Sequence, residues 1–295
     1  MAIIARVGGL PKTPARPSSA ASKPTMQKKT LGLTLPDQPE PPDENLESYS
    51  LALYGPTKIG KTSLLSKFND PFFLMFEPGG KGLTIKRRQI GTWEEFQEYV
   101  TLIAGSKLYE TIVFDTVDLC YEMCIDFIVS GSGEDNINEG TLGYGKGVDR
   151  VDKEFKKQIL RITATGRGVV FVSHAAEKEF EQVTGAKYTM ILPSMKDRAR
   201  KFINGFADII AYYGYFGTER YLIIKGNEQL DAGHRIDGHF RTTKGQHIHS
   251  IPMGGSPQEG YDNFVSAFNN EQEDPGILKR KADIGERKVK FAGKR

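Results

Sequence analysis

Cysteine is scarce in this chain, with two among 295 residues. Cys120 and Cys124 form neither a Cys-x-x-Cys pair nor a disulfide framework, so a reducing, cytoplasmic compartment is the simplest expectation. No apolar run reaches the length that crosses a membrane, and no membrane role is expected. The opening residues, Met1-Ala-Ile-Ile-Ala-Arg6, are too short an apolar stretch for a secretory signal. His234, His239, His247 and His249 are irregularly spaced and lack cysteine partners, which argues against zinc.

Acid is missing where base is plentiful. Residues 1–30 carry Arg6, Lys12, Arg16, Lys23, Lys28 and Lys29 with no acid, and residues 36–47 turn acidic and proline-rich. Such a stretch buries too little apolar surface to offset its ordering entropy, so 1–47 reads as a disordered tail. Residues 271–295 read as a basic C-terminal tail, which leaves 48–270 as the folded domain. The net charge of +3 does not by itself point to nucleic acid. The basic tails suit a polyanion or an acidic peptide, or serve only solubility.

What is present is Gly55-Pro56-Thr57-Lys58-Ile59-Gly60-Lys61-Thr62, a complete G-x-x-x-x-G-K-[ST] phosphate loop, followed by Ser63. Its glycines let successive N–H groups turn inward toward an anion. Lys61 brings a point charge to the β- and γ-phosphates, and Thr62 offers a hydroxyl to Mg²⁺. An apolar run, 49–54, reads as the strand before the loop, and 61–68 as the helix after it.

Further runs follow the same pattern. Residues 71–76, 111–115 and 168–173 read as buried parallel strands. Thr92 and Glu95 form a capping box for a helix that Gly105 stops. The spacing of Val117, Cys120, Met123, Cys124, Phe127 and Ile128 predicts a helix with both cysteines on its apolar face. A second amphipathic helix spans 148–165. Residues 177–192 read as a hairpin or long excursion, and 195–206 as a basic helix. Two later strands, 207–216 and 220–225, extend the sheet antiparallel. The fold class is α/β, with a mainly parallel central sheet flanked by helices.

Asp115 ends an apolar strand, where a carboxylate holds Mg²⁺ beside a phosphate loop or caps the next helix. Thr116 follows it, not an acid. Glu77, at the tip of the second strand, is the better candidate to activate water, with Asp118 as the alternative. His174 ends the strand after that of Asp115 and is placed to sense the γ-phosphate. No Asn-Lys-x-Asp guanine signature is present.

In this order, Gly55–Thr62, Glu77, Ile112-Val-Phe-Asp115 and Val170-Phe-Val-Ser-His174 resemble the RecA-like family of P-loop ATPases. The chain looks most similar to the compact phage Sak-type group of single-strand annealing proteins. Tyr144-Gly-Lys-Gly147, Ser173-His174, Asp208 after a basic helix, and Lys225-Gly-Asn227 with Arg235 are the more telling pieces. The resemblance spans roughly residues 49–240.

The resemblance implies ATP and Mg²⁺ as cofactors, and Lys61, Glu77, Asp115 and His174 as the catalytic set. It implies DNA-contacting segments at Tyr144, Lys146 and Arg150, and at Lys178, Phe180, Lys187 and Tyr188. Aromatics there would stack on bases and cations track phosphates. It further implies a homo-oligomer, ring or filament, with Lys225 or Arg235 reaching a neighbour's γ-phosphate. Single-stranded DNA, and a single-strand-binding protein, are the partners it suggests, in a host's cytoplasm. Two other readings stand beside it: an ATP-dependent switch or loader, and a small-molecule kinase with Arg198, Arg200 and Lys201 as its lid.

Overall fold

Most strands form where short apolar runs are bounded by turn residues. In chain order these are β1 (Leu51–Gly55), β2 (Pro71–Met75), β3 (Lys86–Gln89), β4 (Thr111–Asp115), β5 (Gly168–Glu181), β6 (Lys187–Pro193), β7 (Ile209–Phe216), β8 (Glu219–Ile223), β9 (Gly233–His234) and β10 (Ser250–Pro252). The helices are α1 (Lys61–Leu65), α2 (Trp93–Ala104), α3 (Val117–Ser132), α4 (Lys146–Thr163), α5 (Asp197–Phe206) and α6 (Pro257–Phe268). The structure, a computed structural model, describes residues 35, 37–182 and 185–276. The folded body belongs to the unit Pro42–Arg295; of the other unit, Met1–Pro41, the described residues are exposed and carry no helix or strand. The tail expectations for 1–34 and 277–295 lie outside the described residues.

Among the described residues the sheet runs β10-β8-β7-β1-β5-β4-β2-β3, with β6 on β5 and β9 on β7. Strands β3, β2, β4, β5, β1 and β7 are mutually parallel. The antiparallel extension therefore begins one strand later than expected, at β8, because β7 enters beside β1 in parallel register.

Alternation along the middle strands feeds two cores. Leu51 and Leu53 of β1 pack on one face with Leu64, Leu65, Phe264 and Phe268 of α1 and α6. Ala52, Leu74, Phe114 and Phe171 pack on the other with Trp93, Phe96, Cys120, Phe155 and Ile203 of α2 to α5. With both faces covered, every residue of β1 and β4 is buried, which is why these strands are continuous apolar runs. Both cysteines are free and buried on α3. Half of the capping box forms: Thr92 Oγ1 accepts from Glu95 N–H at 3.2 Å, while Glu95 Oε2 reaches one residue further back and accepts from Gly91 N–H at 2.8 Å.

Several boundaries differ from expectation. The loop helix stops at Leu65, where Ser66 Oγ donates to the Ser63 carbonyl at 2.7 Å and the chain tightens into three-residue turns. Strand β5 does not end at His174. Gly168–Val172 pair with β4 and on into β1, then from Ala175 the same strand pairs antiparallel with β6. The two together form a hairpin arm. The packed body also exceeds the expected limits of 48 and 270. Leu46 lies in the core, and the Glu47 carboxylate accepts from Asn69 N–H at 2.7 Å and the Tyr261 hydroxyl at 2.5 Å. At the other end, Thr243 N–H and His249 N–H donate to the Gln272 and Pro275 carbonyls at 2.9 and 2.8 Å. Among the described residues no helix is long and apolar enough to cross a membrane.

Candidate active site

Parallel register brings four strand ends to one edge. Gly55 pairs with His174, Met75 with Asp115, and Asp115 with Val172. Glu77 follows Met75 by two residues, so the loop, His174, Asp115 and Glu77 share the carboxyl edge, where open α/β sheets bind ligands. They line one cavity of about 330 Å³ together with Lys58, Gly60, Ser63, Gly80, Gly82 and Leu83.

The loop's two glycines serve different ends. Gly60 has φ 109°, a left-handed conformation open to glycine. Gly55 is required for closeness: a Cβ there would sit 2.0 Å from the Tyr213 carbonyl oxygen of β7. Lys58 holds the other left-handed position, φ 62°. The Lys61 ammonium folds back on its own loop, donating to the Gly55 and Pro56 carbonyls at 2.8 and 2.9 Å. Burial lowers its pKa, against the pull of Asp115, Glu77 and Asp118.

Asp115 does not cap α3, whose N-cap is Thr116. Its Oδ2 instead accepts the Thr62 hydroxyl at 2.8 Å. Burial raises its pKa while that hydrogen bond opposes the shift. A buried cation and a buried anion are both held out of water here, each at a desolvation cost. Thr62 and Asp115 converge as hard oxygen donors and fit a Mg²⁺ ion beside a phosphate.

His174 Nε2 lies 3.3 Å from Glu77 Oε2. Asp118 is differently placed. Its Oδ1 accepts Ser173 Oγ at 3.0 Å and Ser194 Oγ at 2.5 Å, and it does not line the cavity. Burial raises its pKa, with the two serines opposing.

The outlying candidates fall into two groups. Tyr144 is fully exposed, and Lys146 and Arg150 begin α4, exposed and in no ion pair among the described residues. The cations of the arm are engaged: Lys178 with Asp197 at 2.7 Å, Lys187 with Glu179 at 2.8 Å. Phe180 stacks on Tyr188 with centroids 5.7 Å apart. Arg235 bonds Asp208 at 2.9 Å and the Gly205 carbonyl at 3.3 Å, tying α5 to the chain after β9. Lys225 is exposed beyond the end of β8, a strand that runs away from the carboxyl edge. Arg198 is paired with Asp149 and Asp152, and Arg200 with Asp197, so two of the three lid candidates are already engaged by acids. Sequence reasoning missed Arg220 of β8: its Nη1 lies 3.5 Å from where a Gly60 side chain would begin. No motif marks it; only the packing of β8 beside β7 brings it to the loop.

A phosphate loop at a strand end, with a Thr–Asp pair across from it, defines a P-loop nucleotide-binding domain. The chain matches the AAA domain family over residues 47–236 and belongs to it. The SPbeta prophage-derived uncharacterized protein YorG of Bacillus subtilis (strain 168) is 21% identical over 242 residues, covering 80% of this chain and 71% of its own. Among solved structures, the RadB recombinase is similar over 72% of this chain and 90% of its own, at 11% identity with a TM-score of 0.39.

Proposed function

We propose that the protein is a Mg²⁺-dependent ATPase that works on single-stranded DNA. One observation carries the ATPase reading: Glu77 lies 3.3 Å from His174 in the same cavity as Lys61, Thr62 and Asp115. The DNA part of the reading rests on the exposed Tyr144, Lys146 and Arg150 before and at the start of α4.

Lys61 leaves its loop carbonyls for the β- and γ-phosphates. Thr62 and Asp115 hold Mg²⁺, which when bound offsets phosphate charge. Glu77 orients the attacking water and takes its proton as the bond to the γ-phosphorus forms and ADP leaves. His174 shares a hydrogen with Glu77 and so registers whether that carboxylate is occupied. The DNA surface centres on Tyr144, Lys146 and Arg150, where the cations have no acidic partner among the described residues and the ring is exposed for stacking. Subunits assemble along or around the strand as a homo-oligomer.

Steady-state ATP turnover with no DNA, with single strands and with duplex tests this. Stimulation by single strands supports it. Unchanged turnover together with no binding at low salt removes the DNA from the reading.

A further inference from the structure

The resemblance in the sequence places the cation that completes the site on a neighbouring subunit. The structure holds one closer. Arg220 is a half-buried residue of β8, directly after the Gly217-Thr218 turn. Around Gly60, among the described residues and apart from its chain neighbours, the only atom that a Cβ would meet within 4 Å is Arg220 Nη1, at 3.5 Å. The guanidinium therefore stands over the open side of the residue that precedes Lys61.

Its position is built. Arg220 Nη2 donates to the Gly254 carbonyl at 3.1 Å, and the Tyr213 hydroxyl lies beside it. The Arg220 carbonyl accepts Met253 N–H at 2.8 Å, and Glu259 Oε2 accepts Gly255 N–H at 2.8 Å, which fixes the loop that presents Gly254. On the far side of Arg220 opens a second cavity of about 500 Å³, lined by Tyr215, Thr218, Glu219, Pro252, Gly254 and Gly255. Gly60 lines the first cavity and Arg220 the second, so the Arg220–Gly60 approach brings the linings of the two together.

We infer that Arg220 binds the nucleotide's α/β-phosphates in cis, over Gly60, and that the cavity beyond it takes the nucleoside. This rests on the nucleotide-binding reading of the site. Arg220 is not part of the lining that holds Glu77 and Asp115, so it is assigned to the diphosphate and grips ADP and ATP alike. A planar guanidinium can hold Gly254 with one nitrogen and a phosphate oxygen with another.

The test is binding of Mg-ADP and of a non-hydrolysable Mg-ATP analogue by calorimetry. Arg220→Ala and Arg220→Gln are expected to weaken both about tenfold or more, as loss of a charge-assisted hydrogen bond does. Gln retains a donor for Gly254, and Arg220→Lys, which keeps the charge, restores most of the affinity. Thermal melts report whether each variant is folded. Normal ADP binding by Arg220→Gln, while Lys61→Ala loses it, overturns this inference alone. Loss confined to the ATP analogue also overturns it, by moving the contact to the γ-phosphate. Normal binding by Lys61→Ala overturns the nucleotide reading and this inference with it. Mixing Arg220→Ala with Lys61→Ala subunits restores no binding if the arginine acts in cis; recovery overturns that assignment.

Discussion

His174 Nε2 stands 3.3 Å from Glu77 Oε2 although their strands are not neighbours, since β4 with Asp115 lies between β5 and β2. The contact bridges over the Asp115 strand end. Each side chain is about one-third exposed, so both are open to a ligand in the cavity.

Replacing Glu77 by Gln keeps the shape and removes the base. Turnover is expected to fall about 10²–10⁴-fold, the range for general-base catalysis, with nucleotide affinity retained. Steady-state rates and equilibrium binding measured on the same preparation check this. A loss of only two- or threefold would return the role to another group.

Thr62→Val removes the hydroxyl that donates to Asp115 at 2.8 Å, and Asp115→Asn keeps an acceptor oxygen but loses the charge. Both are expected to raise the Mg²⁺ concentration for half-maximal turnover, by about tenfold for loss of a hard oxygen donor. A Mg²⁺ titration at fixed ATP reads it. Unchanged titrations would reduce the pair to a structural hydrogen bond.

Burial raises the Asp118 pKa in the folded state. Its protonated form therefore favours folding: that stability is complete below the unfolded value and is lost as pH rises through the folded one. Asp118→Asn keeps an oxygen for Ser173 and Ser194 and carries no charge. Its melting temperature is expected above that of the parent at neutral pH, with the gap closing as pH falls. A gap that widens on acidification contradicts this.

Tyr144→Ala is expected to weaken single-strand binding by about 1–3 kcal/mol, the worth of one stacked base. Arg150→Ala should lower the salt slope by about 0.7 for one lost phosphate contact. Lys178→Ala and Lys187→Ala should change little, because Asp197 and Glu179 already hold those ammonium groups. Anisotropy across salt concentrations ranks the four. The reverse order would move the DNA onto the arm.

What the sequence made legible was local. The loop, Asp115 after its apolar run, the Thr92 box and the cysteine face each rest on spacing within a few residues. Strand β3 escaped because Lys86-Arg-Arg-Gln89 has no apolar pattern; it is an edge strand held by backbone pairing to β2. Helix α6 did carry a signal, Ser256-Pro257 with Glu259, and Ser256 Oγ does accept Glu259 N–H at 3.1 Å. The passage of β5 beyond His174 was hidden because exposure begins to alternate there, while its new partner, β6, lies across a turn. Arg220 was beyond reach, since its role depends on a spatial approach between segments 160 residues apart (220 − 60).

Strand β5 has the mechanics of a cantilever. Its first half is clamped between β1 and β4, and its second half pairs with β6 and is tied to α5 by Lys178 and Asp197. From His174 at the clamp to Glu181 the strand spans about 23 Å at ~3.3 Å per residue. A few degrees of tilt at the imidazole would swing the tip by about an ångström or two, enough to carry a hydrogen bond there beyond its reach.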